Sequence, residues 1–534
     1  MSSKQFLTSK SYIKKYCQIF YLITFVYAFY CILNLGPAWD TFFYIELGKH
    51  RLNYLLSLGL DKIDYNYYEQ IFSGVYLTIA AFILNIFPKT FEIEVFYIIN
   101  FLASIVTTIG VYKLTKILFN KKVGYINAIT FLYYSIFFGH ASINDRDAIT
   151  VLCNIWITYY VLEYLKFNQL KNKKYVIYIS LLLSIGLGIR FHFIATLIPL
   201  FLFTMFKFYS LKKSHKKNLS IDLVKILLIT FVIVFIFWAP VHEDIFSKPY
   251  EIIKILLERS YGWAAILLNG KIYESNNYPL TYIFQNLFFK SPEYVIFLYI
   301  LFFPLFITIR KFFKKNNNNF DQNLLFIILN IFFPTILLFL FETTVYDGLR
   351  LFLYILPYFL VIPAIVFYFL IRKGKNIFFK SCMIASTILF VYYMYNFFLL
   401  TPYHYTYLNI FSGKFSESDN KFENDYWGVS LKELIGGIAK NQELNNYKFI
   451  KFSICGVSNG IIKYNLNKIE PKINYKIVRD EENPDFVIMT NRVVQTKNEN
   501  NKIYKTCFKN YEGKIVAEVK RRNLILSAIK KYTK

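Results

Sequence analysis

Apolar runs about as long as a bilayer is thick recur eleven times between residues 16 and 400, which constrains this chain more than any other feature of it. They read as roughly 16–35, 96–115, 123–139, 148–165, 175–189, 193–209, 223–239, 294–310, 323–341, 351–371 and 381–400. A helix rises 1.5 Å per residue, so about 20 apolar residues cross a hydrocarbon layer of roughly 30 Å. Composition agrees. With 56% apolar residues and a mean hydropathy of +0.37, the chain has too little polar surface to cover a soluble core. The expected fold class is an all-α polytopic membrane protein with about 11 transmembrane helices.

The net charge of +27 would suggest nucleic acid in a soluble protein. Here the basic residues sit in short clusters between apolar runs. The windows 1–15, 116–122, 166–174, 207–217, 310–315 and 372–380 hold 24 Lys and Arg and no acid. The opposite loops, 36–92, 140–147, 190–192, 240–293 and 342–350, hold 12 Lys and Arg against 16 acids. Basic loops stay in the cytoplasm. That bias places the N-terminus there and, with an odd number of crossings, exports the residues after 400. Nucleic acid is not an expected partner. Lys4, Lys10, Lys14 and Lys15 precede an apolar run without an A-x-A site, so the first run reads as a retained helix. Ile71–Pro88 is apolar enough to be a twelfth crossing, but that would export Lys116, Lys121 and Lys122. It reads instead as an interfacial or re-entrant helix, with Gly74 and Pro88 near its ends.

Residues 1–400 therefore form a membrane domain with two long far-side loops, 36–95 and 240–293. Trp39–Leu56 in the first loop and Tyr250–Gly270 in the second read as amphipathic helices, the latter from Ile252, Ile253, Leu256 and Leu257. Residues 401–534 read as a small extracytoplasmic α/β domain, with a helix over Val429–Ala439 and strands over Lys448–Cys455, Tyr475–Val478 and Phe486–Met489. No cysteine pair has zinc-ligand spacing, and no metal site is expected. Cys455 and Cys507 can pair if their domain meets an oxidising compartment.

Charges at membrane depth or at helix ends are costly, which makes them candidates for function. Four far-side groups stand out. Asp40, in Ala38-Trp39-Asp40-Thr41, could take a proton from a hydroxyl, or simply cap the helix that follows. His140, Asp145, Arg146 and Asp147 fall in one short link, where they could position a substrate or cap the next span. Arg190 and His192 lie between two uncharged runs. An arginine fork suits a phosphate, although snorkelling to the interface is the plainer reading. Tyr346, Asp347 and Arg350 open the tenth span, as a phosphate site or as an interfacial turn. The four groups gather acids, arginines and aromatics at one face, and no run of intramembrane acids suggests ion transport.

This arrangement resembles the GT-C glycosyltransferases, and within them glycosyltransferase family 39 and its bacterial protein mannosyltransferase-like and aminoarabinose-transferase-like relatives. The likeness rests on Pro37–Leu52 (PAWDTFFYIELGKHRL), Phe138–Asp147 (FGHASINDRD), Tyr346–Pro357 (YDGLRLFLYILP), Thr401–Asn409 (TPYHYTYLN) and Phe422–Gly428 (FENDYWG). The resemblance implies a GT-C-type fold and a polyprenyl-phosphate-linked monosaccharide donor. It also implies transfer outside the cytoplasm with inversion at the anomeric carbon, to a glycan, lipid or protein acceptor. By the same resemblance Asp40 is the catalytic base. The second acidic link is Asn144–Asp147, and the functional acid there is Asp145 or Asp147. Arg190 and Arg350 would hold lipid phosphate. No cofactor is certain, and a divalent cation stays open. A lipid-linked-sugar flippase, another transporter, or a non-catalytic subunit of envelope assembly are the alternatives.

Overall fold

A computed structural model describes residues 19, 22–61, 74–166, 173–209, 213–258, 263–341, 343–496 and 503–533. Among them, seven helices are long and apolar enough to cross a bilayer. They are Lys89–Leu118, Asp147–Leu165, His215–Phe237, Glu293–Lys314, Phe320–Leu340, Arg350–Lys373 and Ile377–Leu399. The other four expected runs are also helical but shorter or broken. They fall in Leu22–Asn34, in Lys121–Leu132 with Ser135–His140, in Lys173–Ile189, and in Phe193–Thr196 with Ile198–Tyr209. The expectation of continuous helices over 123–139 and 193–209 is thus corrected. At the first break the Tyr393 hydroxyl accepts from the Ser135 amide at 2.8 Å and donates to the Tyr133 carbonyl at 2.5 Å. One side chain so satisfies backbone groups that an unbroken helix would have paired internally.

Burial sorts the helices by position. Only 11% of the apolar window in His215–Phe237 and in Ile377–Leu399 is buried, and Leu228, Phe231, Ile388 and Val391 point outward, as lipid contact requires. In Arg350–Lys373 the share is 78%, which makes it the central helix and puts Arg350, at its start, in the middle of one face. Of Ile71–Pro88, residues 71–73 lie outside the described residues, and the rest holds the helix Val75–Leu84, ten residues or about 15 Å, too short to cross. Gly74 at its start takes a left-handed φ of 74°. This helix lies against Thr41–Leu56 so closely that a Cβ on Gly48 would sit 2.5 Å from the Leu77 carbonyl oxygen.

In the second far-side loop the expected helix stops early. Ser247–Glu258 is helical, but Ala265–Leu268 (β1) and Lys271–Glu274 (β2) form an antiparallel hairpin. Asn269 and Gly270 between them have φ of 49° and 83°, the two left-handed residues that a tight two-residue hairpin turn demands.

The C-terminal region folds around a five-stranded mixed sheet. Its strands are Ile450–Cys455 (β3), Tyr475–Ile477 (β4), Phe486–Thr490 (β5), Ile515–Arg521 (β8) and Leu524–Lys531 (β9), in the order β4-β3-β5-β9-β8. The first three run parallel, and β5 is buried along its whole length, as an apolar run in a covered sheet should be. The antiparallel β8–β9 pair and a second hairpin, Val493–Thr496 (β6) with Ile503–Thr506 (β7), extend the expected strand set. The expected helix over Val429–Ala439 is a short turn of helix, Leu431–Gly436, followed by a 3-10 turn. Cys455 and Cys507 are joined in a disulfide.

Candidate active site

The central feature is one guanidinium. Arg350 points each of its three nitrogens at a different aspartate: Nη2 donates to Asp40 at 3.1 Å, Nε to Asp147 at 3.2 Å and Nη1 to Asp347 at 2.7 Å. The Trp427 ring lies 3.8 Å from its central carbon. Asp40 and Asp147 sit at the ends of other helices, more than 200 residues away in sequence. Such a planar fork suits several carboxylates or phosphates at once.

Around this hub the pairing continues. Arg146 Nη2 donates to Asp40 at 2.9 Å, while its guanidinium lies 4.3 Å from the Tyr44 ring. Arg190 pairs with Asp147 at 3.0 Å. Arg492, from the C-terminal domain, donates to Asp347 at 2.6 Å and to the Tyr426 carbonyl at 2.7 Å, and stacks 3.9 Å over Trp263. Trp263 in turn meets Trp39 edge-on at 5.4 Å.

The three aspartates are used differently. Asp147 and Asp347 give each carboxylate oxygen its own arginine: Asp147 takes Arg190 and Arg350, and Asp347 takes Arg492 and Arg350. Their side chains are 6% and 1% exposed. Asp40 instead receives both arginines on a single oxygen, Oδ2, and its side chain is 26% exposed. It is the one acid of the three with a face toward solvent.

The capping readings can now be decided. Asp40 precedes Thr41–Leu56, yet its side chain accepts nothing from that helix. The cap of the helix opening at Asp147 is Asn144, whose Oδ1 accepts from the Arg146 and Asp147 amides at 3.2 and 2.8 Å. Asp145 and Asp147 are therefore free of capping duty. The position of Asp40 also bears on topology. Asp40 pairs with Arg146, and between them lie Lys89–Leu118, long and apolar enough to cross, and the broken helix ending at His140. A third crossing at Val75–Leu84 would have separated residues that are in contact.

Other expected residues take lesser places. Asp145 is buried beside a small cavity lined by Tyr44, Tyr76, Arg146 and Gly188, and its Oδ2 has no hydrogen-bond partner. Burial pushes its carboxyl up to about 7, against the pull of Arg146. His140 reaches Tyr426 Oη at 2.9 Å and Asn144 at 3.2 Å, linking the short loop to the C-terminal region. Tyr346 lies 5.7 Å from the Arg350 guanidinium. His192, exposed at the turn beside Arg190, feels the charge of that guanidinium and makes no hydrogen bond to the cluster among the described residues.

Residues not singled out from the sequence complete the site: Arg492, Trp263, Lys290, and Glu423 and Trp427 of the FENDYWG segment. Lys290 and Glu423 are buried together beside Gly348, so close that a Cβ on that glycine would meet Lys290 Nζ at 2.2 Å. Burial raises Glu423 to about 7 and lowers Lys290 to about 8. Every aspartate of the hub faces arginine. Among the described residues no three His, Cys, Asp or Glu side chains gather as a divalent cation would need.

Comparison with known proteins bears on the fold. The family model described as dolichyl-phosphate-mannose-protein mannosyltransferase matches residues 75–242. No curated protein matches the chain. Among solved structures, ArnT from Cupriavidus metallidurans in the apo state superposes with a TM-score of 0.53 at 8% identity, over 97% of this chain and 98% of ArnT. ArnT bound to undecaprenyl phosphate gives 0.51 at 8%, over 96% and 98%. Nearly the whole length of both chains shares one architecture, bundle and C-terminal domain together. The chain is an integral membrane protein with a GT-C-type fold, as in ArnT, and its residues 75–242 are similar to the protein mannosyltransferase family model.

Proposed function

We propose that this protein transfers a monosaccharide from a polyprenyl-phosphate carrier to an acceptor hydroxyl on the extracytoplasmic face, with inversion. The observation that carries this reading is the doubly bridged Oδ2 of Asp40. Two arginines converge on one oxygen of a part-exposed carboxylate, which leaves the other oxygen open. An incoming phosphodiester presents the same chemistry to Arg146 and Arg350 that Asp40 does. Once they turn to it, Asp40 is released as a base.

The acceptor oxygen then attacks the anomeric carbon from the face opposite the phosphate. As that bond forms, the bond from the carbon to the phosphate oxygen breaks and its electron pair stays on the phosphate. Asp40 takes the acceptor proton. Arg146, Arg190 and Arg350 stabilise the charge that grows on the departing lipid phosphate. Asp147 and Asp347, each locked between two arginines, keep those cations in place.

Sidedness follows the charge bias. Arg492 touches Asp347, so the C-terminal domain shares the face of the site, and its disulfide suits an oxidising compartment. The undecaprenyl phosphate bound by ArnT supports a polyprenyl carrier here. The test is purified protein incubated with a panel of radiolabelled polyprenyl-phosphate sugars, following release of free polyprenyl phosphate. Asp40→Asn is expected to lower turnover by about 10²–10⁴-fold, the usual worth of a positioned base, with membrane insertion unchanged. Near-normal turnover in that variant would sink the assignment.

A further inference from the structure

The C-terminal domain is more than a cover. Arg492 is 4% exposed and lies between β5 and β6 of that domain. Its fork holds Asp347 Oδ1 at 2.6 Å, and Asp347 Oδ2 holds Arg350 Nη1 at 2.7 Å. A single carboxylate therefore joins an arginine of one domain to the hub arginine of the other. Asp347 and Gly348 adopt left-handed φ of 56° and 63°, which aims the Asp347 carboxylate between the two cations. Asp tolerates that region better than most residues do.

The backbone of Arg492 is backed by the segments that the disulfide joins. The Cys507 amide donates to the Arg492 carbonyl at 2.8 Å. On the other side, a Cβ at Gly456, next to Cys455, would lie 2.9 Å from Arg492 Cβ and 3.0 Å from Cys507 Sγ. Cys507 and the residue that follows Cys455 thus both abut Arg492. Trp263 of the far-side loop covers its outer face at 3.9 Å and donates from Nε1 to the neighbouring Val493 carbonyl.

We infer that Arg492, clamped by the Cys455–Cys507 disulfide, is a positioning residue for the site: through Asp347 it fixes the Arg350 guanidinium where it meets Asp40, Asp147 and the donor phosphate. This rests on the function proposed above only for the identity of the ligand. Two measurements on the full chain separate the claims. The first is thermal stability across single and paired variants. Arg492→Ala is expected to weaken the protein in the wild-type background and to add little in Asp347→Asn, because Asp347 carries the connection. Additive losses would overturn the inference whatever the protein binds.

The second is equilibrium binding of undecaprenyl phosphate. Arg492→Ala and Asp347→Asn are each expected to weaken it about tenfold, with the double variant no worse than either. Arg492→Lys should recover part of the loss, since it restores the charge without the fork. Replacing Cys455 and Cys507 by serine should weaken binding in the same direction. Wild-type affinity in Arg492→Ala would overturn the positioning role, and wild-type affinity in the serine pair would overturn the clamp. A wild-type protein that ignores the lipid would sink the proposed donor, while the stability cycle still decides the inference.

Discussion

Asp40 and Asp347 are both aspartates touched by two arginines, and both touch Arg350, yet they are built for opposite purposes. Asp347 is 1% exposed and gives each oxygen a separate guanidinium; no lone pair faces solvent, and neither arginine can leave without stranding a charge. Asp40 is 26% exposed and crowds both arginines onto Oδ2. The first arrangement holds geometry, and the second can be exchanged for an incoming anion. Identical ion pairs on paper therefore separate into structural and working groups once the partner of each oxygen is counted.

The sharpest way to break that comparison is to delete each carboxylate and measure stability. Asp347→Ala leaves Arg492 buried with no carboxylate nearer than Glu423 at 3.9 Å and also takes one of three aspartates from Arg350; removing one member of a buried pair typically costs about 3–5 kcal/mol. A large fall in the thermal midpoint is expected. Asp40→Ala leaves Arg350 two aspartates and a solvent-facing edge, so its midpoint should stay within about 1 kcal/mol of wild type, as for an exposed pair. Equal losses from the two would erase the distinction. Next in size is Arg350→Lys. A lysine keeps the charge but cannot reach three aspartates along three directions. Turnover is expected to fall at least about tenfold, with donor KM raised as well, since orientation and phosphate binding share the fork. Unchanged kinetics would mean that charge alone suffices there.

The two halves of the cluster were unequally legible. Asp40, Asp147 and Arg350 stood out because a charge at the mouth of an apolar run is conspicuous, and the bundle follows directly from hydropathy and charge bias. Arg492 gave no such signal: it is one arginine in a charged domain, and its partner Asp347 lies 145 residues upstream in the other domain. Only tertiary structure brings them together. The β1–β2 hairpin is a different kind of miss. Asn269-Gly270, a strong turn signal, lies between two short strands, but the helical spacing of Ile252 to Leu257 was extended through it. The break at Tyr133–Tyr134 has no proline or glycine to announce it and is satisfied by Tyr393, a residue 258 positions from Ser135, whereas Pro199, without an amide hydrogen to continue a helix, marks the break at Leu197.

Glu423 sharpens the same comparison at a smaller scale. It is buried in the patch that holds Asp347, but its nearest arginine nitrogen, Arg492 Nε, is 3.9 Å away. Asp347 has two charged donors within 2.7 Å. Burial therefore wins, raising Glu423 from 4.5 to about 7, with Asp347 adding to the rise and Arg492 and Lys290 opposing it. The sign follows from linkage. Between the two values the folded state binds more protons than the unfolded one, so stability falls as pH rises through that window and levels off above it. Asp145, lifted to about 7 by its own burial, contributes in the same direction. Burial holds His140 and His404 down to about 3, which works in the opposite direction below pH 6.5, so the difference is diagnostic: from pH 5 to 8 the thermal midpoint should decline less, or rise more, in Glu423→Gln than in wild type. The difference should be largest in Glu423→Gln combined with Asp145→Asn. If Glu423→Gln kept the full wild-type slope, Arg492 and Lys290 would already compensate the buried carboxylate, and Glu423 would belong with Asp347 among the locked acids.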